Sequence, residues 1–210
     1  PFELLANGLT PAGIAVLRYD DRGVGESTGD FATSDLHDFA DDAEAAIAFL
    51  STRSDIDQDH IGLIGHSEGG AIAAILGARN ADLDFIVSLA GLGVSGEKVL
   101  LLQSRLMLEA EGASPEEAQA QADLMAEISV LLDDPEALEE AIFNAALAQA
   151  DALPQEQQDA IGDIEAYARS LAAQQAAQLQ APSVKALLEY DPDPDWARTT
   201  VPVLAIFGGK

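Results

Sequence analysis

The sequence predicts an α/β fold: a parallel sheet with flanking helices, interrupted by an all-helical insertion. Three observations carry this. Apolar, β-branched runs alternate with helical stretches through about residue 92, a rhythm that demands a parallel sheet covered on both faces. The run His60 to Ile64 turns sharply through Gly65-His66-Ser67-Glu68-Gly69-Gly70 into a run of Ala and Ile. Between Gly93 and Tyr190 strand signals vanish and Ala, Gln, Leu and Glu take over.

Phe2, Leu4, Leu5 and Leu9 recur at helical spacing, and Thr10-Pro11-Ala12-Gly13 ends that helix. Ile14 to Tyr19 is β-branched and apolar, so a buried strand is expected there. The loop Asp20 to Gly29 is glycine-rich, but a dinucleotide fingerprint needs glycine where Thr28 stands and a helix opening at once. It reads as a shaped turn, with Arg22 pairing to an acidic neighbour rather than contacting substrate. From Ser34, the residues Leu36, Phe39, Ala40, Ala43, Ile47 and Leu50 mark one face of a helix that ends near Thr52, with Asp35 and Asp38 in its first turn. Phe85 to Leu89 is the next strand, closing on Ala90-Gly91.

Within the insertion, Ser114-Pro115-Glu116-Glu117 is a capping box with proline at the first helical position. Asp134-Pro135 starts another helix, and Pro154 opens a third that carries Ile161, Ile164, Ala168 and Leu171 in register. The expected organisation is therefore residues 1–92 as the first part of the α/β core, 93–190 as a helical cap, and 191–210 as the return to the core. The cap reads as a lid over the site or as a structural or dimerising appendage. Asp191 to Asp195 alternates carboxylates, yet Trp196 and Pro202 stand where a calcium loop needs glycine and glutamate, so the segment reads as a stiff turn. Val201 to Phe207 is expected to be a buried parallel strand.

With 37 acidic and 10 basic residues among 210, the net charge is −27. That disfavours nucleic acid, anionic membrane and anionic substrates as partners. A charge this large also repels itself, and it suits a protein adapted to salt as well as one with an ordinary acidic surface. There is no cysteine, hence no disulfide and no thiolate metal site. No metal and no cofactor are expected. No apolar run reaches membrane-spanning length and no leader is visible, so a cytoplasmic location is the default. Composition is silent on oligomeric state.

The segment that carries chemistry is the turn at Ser67. A serine lifted off the end of a strand sits in a strained backbone conformation, and its flanking glycines let neighbouring strand and helix come close. Gly65 and Gly69 are expected to serve this need, with Gly70 as further relief.

Taken with the Asp20-x-Arg22-Gly23-x-Gly25-x-Ser27 loop and the strand Pro202 to Gly208, this turn resembles the nucleophile elbow of the α/β-hydrolase superfamily. The nearest likeness is to bacterial serine esterases and acyl-peptidases with a helical cap. The resemblance implies that Ser67 attacks an ester or similar carbonyl and that the Glu68 backbone N–H is one of two oxyanion donors. It gives the Glu68 side chain no catalytic part. His37, His60 and His66 match no catalytic position of the family, whose acid and histidine come after the strand at Val201 and whose second oxyanion donor comes before Pro1. The resemblance thus implies an incomplete fold, lacking early strands and the last strand and helix, in a fragment without meaningful turnover. The strand at Ile14 is then expected either two strand spacings from Ile61 to Ile64 or collapsed directly against it. Carboxylic ester hydrolysis, of a small neutral ester-like substrate, is the leading expectation that the resemblance implies. Peptidase, thioesterase or lactone-opening activity on the same machinery, or a non-catalytic partner-binding role, are its alternatives.

Overall fold

The computed structural model describes residues 2–79 and 82–208. They fall into two compact units, Pro1–Val94 with Asp191–Lys210, and Ser95–Tyr190.

The first unit holds a three-stranded parallel sheet in the order β1 (Gly62–His66), β2 (Phe85–Leu89), β3 (Val203–Ile206). Gly62 pairs in register with Phe85 and Ile86 with Val203. Gly62 has no side chain because the Phe85 ring occupies the space where one would stand. Helix α1 (Phe2–Leu9) opens the chain, and α2 (Leu36–Ser51) buries Leu36, Phe39, Ala40, Ala43 and Ile47, the face read from the sequence. Asp35 caps α2 reciprocally with Asp38, satisfying amides that a helix terminus leaves without partners. Helix α3 (Glu68–Arg79) is the centre of this core: Gly70, Ala71, Ala73, Ala74, Ile75, Leu76 and Gly77 are all buried. Small residues on every side let it pack at once against β1, β2, α2 and the short helix α10 (Asp193–Arg198). Gly77 shows why, since a methyl group there would lie 2.9 Å from Ile86 Cδ1.

Three expectations fail in this unit. Ile14 to Tyr19 is not a strand; it neither stands two spacings away nor collapses onto β1. A strand exists only by pairing, and no described residue pairs with the edge of β1 that faces away from β2. The strand after Pro202 forms in the expected place but is exposed, Leu204 by 56% and Phe207 by 61%, because β2 is its single neighbour in the sheet. Asp191 to Asp195 is no bare turn: the Asp191 carboxylate accepts from the Asp193 amide and the chain enters α10.

The second unit is helical throughout: α4 (Gly96–Glu111), α5 (Pro115–Ser129), α6 (Pro135–Asp151), α7 (Gln155–Ile161), α8 (Ile164–Leu179) and α9 (Pro182–Glu189). Ile128, Leu132, Leu138, Ile142, Ala172, Ala176 and Leu188 form its core. Ser114 and Glu117 make the capping box predicted for α5, and Asp134 caps α6. The single helix expected after Pro154 is two. Gly162 takes φ +80°, a conformation that ends α7, and Asp163 caps α8 afresh. The unit closes on itself where it begins and ends, the Gly96 amide donating to the Tyr190 carbonyl at 3.0 Å. No described helix is long and apolar enough to cross a membrane.

Candidate active site at the Ser67 turn

Strand β1 ends at His66 and helix α3 begins at Glu68, so one residue makes the whole connection. That residue, Ser67, has φ +55°, a left-handed conformation that costs a non-glycine residue on the order of 1 kcal/mol or more. It persists because both its peptide groups are tied down. The Ser67 amide donates to the Leu89 carbonyl at 3.0 Å, and its own carbonyl accepts from the Gly70 amide at 2.9 Å. The side chain is exposed.

The glycines divide the work differently from the sequence reading. A Cβ at Gly65 would fall inside the Gly69 carbonyl group. At Gly70 it would lie 2.5 Å from the Gly91 Cα and 3.1 Å from the Oγ of the buried Ser88. At Gly69 nothing lies within 4 Å. Gly65 and Gly70 are therefore the sterically required pair, and Gly69 contributes its carbonyl, not its missing side chain. Gly91 answers Gly70 from the end of β2, where Ala90 takes φ +47°.

Glu68 is half-buried, and burial first, then the negative Asp21, pushes its carboxyl above the usual range. The Tyr19 hydroxyl is raised for the same reasons in the same order, with Asp42 adding to Asp21. The charge of Asp21 thus bears on the first turn of α3, an influence that the sequence signalled only as a glycine-rich loop after an apolar run. Arg22 does pair with carboxylates, as expected, but those of α2: Nε and Nη2 donate to Asp42 at 2.7 and 2.8 Å, and Nη1 to Asp38 at 3.0 Å.

The three histidines are engaged elsewhere. His60 contacts Asp57 at 2.9 Å before β1, His37 lies 3.4 Å from an Arg79 nitrogen at the start of α2, and the exposed His66 ring meets Phe2 edge-on. No described group of His, Asp or Glu is arranged to hold a metal ion.

An exposed hydroxyl on a strained one-residue turn, at the amino end of a helix whose first amides point outward, is suited to attack a carbonyl and to stabilise the resulting negative charge. Residues 2–152 match the family model described as Serine aminopeptidase, S33.

Proposed function

Since the chain belongs to the serine aminopeptidase S33 family of α/β-hydrolases, we propose that Ser67 is the nucleophile of a carboxylic ester hydrolase that works through an acyl-serine intermediate. The observation that carries this reading is the φ of +55° at an exposed serine between strand and helix. Such strain is retained where it holds a reactive group clear of the sheet.

In the first step the Ser67 Oγ adds to the substrate carbonyl carbon and the oxygen of that carbonyl takes the negative charge. The Glu68 N–H has no partner within its own helix and serves as one of two oxyanion donors. Collapse of the tetrahedral adduct releases the alcohol and leaves the acyl group on Ser67; water then returns the serine. A base must take the Ser67 proton, and His37, His60 and His66 are not assigned that role: His60 pairs with Asp57, His37 meets Arg79, and the His66 ring meets Phe2.

A fluorophosphonate probe tests the reading. Covalent labelling that disappears in Ser67→Ala supports it; labelling that survives the substitution, or a folded wild type that never labels, defeats it. A second reading, peptide hydrolysis, is favoured by the description of the matching family as an aminopeptidase. Comparing a p-nitrophenyl ester with an aminoacyl p-nitroanilide decides between them. A protein inert to probe and substrates alike would leave the non-catalytic binding role.

A further inference from the structure

Helix α4 packs against α5 and α9 within its own unit. Along another side, Val99, Leu102, Gln103, Leu106, Met107 and Ala110 line an open trough. Their spacing of i, i+3, i+4, i+7, i+8 and i+11 is that of one continuous helical stripe. Leu102, Leu106 and Met107 are 48%, 37% and 53% exposed. The one polar side chain in the stripe, Gln103, turns its amide back onto Met107 Sδ at 3.7 Å. Contiguous apolar surface of this kind marks a place of contact.

One flank of the stripe is charged. Lys98, Arg105 and Glu109 recur there at i, i+7 and i+11. Among the described residues of the helical unit, Arg105 pairs with Glu109, Arg169 with Glu165 and Lys185 with Asp133, while the exposed Lys98 makes no ion pair. Arg105 Nη1 donates to Oε1 of Glu109 at 3.0 Å, which leaves Oε2 to accept from a second cation. Lys98 cannot be that cation within one chain, because eleven residues of helix set the two about 16 Å apart along its axis.

We propose that the α4 stripe is the docking face for a second copy of this chain, helix against antiparallel helix about a two-fold axis. In a two-fold contact the two members of each residue pair meet reciprocally. An axis between Ser104 and Arg105 sets Leu102 opposite Met107 of the second copy, Val99 opposite Ala110 and Gln103 opposite Leu106, since the members of each pair are equally far from it. The same rotation brings each flank against its own equivalent. Lys98 then lies within two residues, about 3 Å of rise, of the level of Glu109 in the second copy, and the pairing occurs twice. The stripe is thus complementary to itself in apolar order and in charge, independently of the chemistry at Ser67. One helix pair falls short of a standard interface of about 1,600 Å², so the dimer is weak and reversible. The net charge of −27 on each copy opposes it, most strongly where salt is low.

Sedimentation equilibrium of the full chain, in about 0.15 M and about 1 M salt, is the test. Wild type should dimerise as its concentration rises, and Leu102→Gln combined with Met107→Gln should raise the dissociation constant about tenfold or more. At the lower salt, Lys98→Glu and Glu109→Lys should each weaken the dimer, because each sets like charges against one another across the axis. An equimolar mixture of those two variants should recover wild-type association, since every charge then meets its opposite. A wild type that stays monomeric in both salts overturns the proposal, and so does one that remains monomeric and floats with phosphatidylcholine vesicles. A dimer unmoved by the Leu102 and Met107 substitutions, charge variants that match wild type, or a mixture that does not recover are equally decisive against it. Should the apolar double variant not fold, the mixing experiment decides alone.

Discussion

The Gly69 carbonyl occupies the place where any side chain at Gly65 would have to begin. The end of β1 and the first turn of α3 are thus in contact across the serine between them, and the turn cannot open without separating strand from helix.

This contact separates three glycines that look alike in sequence. Gly65→Ala and Gly70→Ala both drive a methyl group into backbone, and each should cost about 1–3 kcal/mol or more, with loss of fluorophosphonate labelling at Ser67 in Gly65→Ala. Gly69→Ala meets open space inside a helix, where alanine is better than glycine by about 0.5–1 kcal/mol. Urea denaturation of the three variants checks the order; a Gly69→Ala protein as damaged as the other two contradicts it.

Strain at Ser67 makes a second case. Glycine adopts φ +55° without penalty, so Ser67→Gly should unfold at a higher urea concentration than Ser67→Ala, by a difference of about 1 kcal/mol. Both should be dead to the probe. Equal stabilities would mean that the turn is not strained in solution.

The pH dependence follows from Glu68. Its folded-state carboxyl is raised, first by burial and then by Asp21, so the folded state holds the proton more tightly than the unfolded chain. That contribution to stability is complete below the ordinary glutamate range and is lost as pH rises through the raised folded value. The helix terminus pulls the other way by favouring a carboxylate, and burial outweighs it. Glu68→Gln does not ionise. Wild type should therefore lose ground to Glu68→Gln between about pH 4 and about pH 7, measured as the difference in urea midpoints. A gap that is constant or moves toward wild type is the contrary result.

Charge sets the response to salt. Arg22, Arg53, Arg79, Arg105, Arg169, Lys185 and Arg198 already face carboxylates, but a net charge of −27 leaves most acidic residues with no cation to meet. Salt weakens the exposed pairs, each worth roughly 0–1 kcal/mol, and at the same time screens the larger self-repulsion. The thermal midpoint should therefore rise between dilute buffer and about 1 M salt, where the screening length shrinks to about 3 Å. A flat or falling midpoint would show that the carboxylates lie too far apart to matter.

Local signals in the sequence were readable where local physics decides. The caps at Ser114 and Asp134, the buried face of α2 and the limits of β2 all depend on neighbours within a turn or two. Tertiary pairing was not readable in this way. Ile14 to Tyr19 has the composition of a strand but no partner, and β3 has its pairing but not its cover. The break at Gly162 was hidden because apolar residues on both sides keep the same helical register. At the turn, the motif located Ser67, yet which glycine was indispensable depended on Gly91, twenty-one residues further on than Gly70.

The bond between Gly96 and Tyr190 joins residues ninety-four positions apart at the base of the helical unit. A segment whose two ends leave side by side asks nothing of its host beyond a gap of a few ångströms, so α4 to α9 can be exchanged like a cassette. A protein built this way can vary its helical unit without redrawing the strands that carry the turn at Ser67.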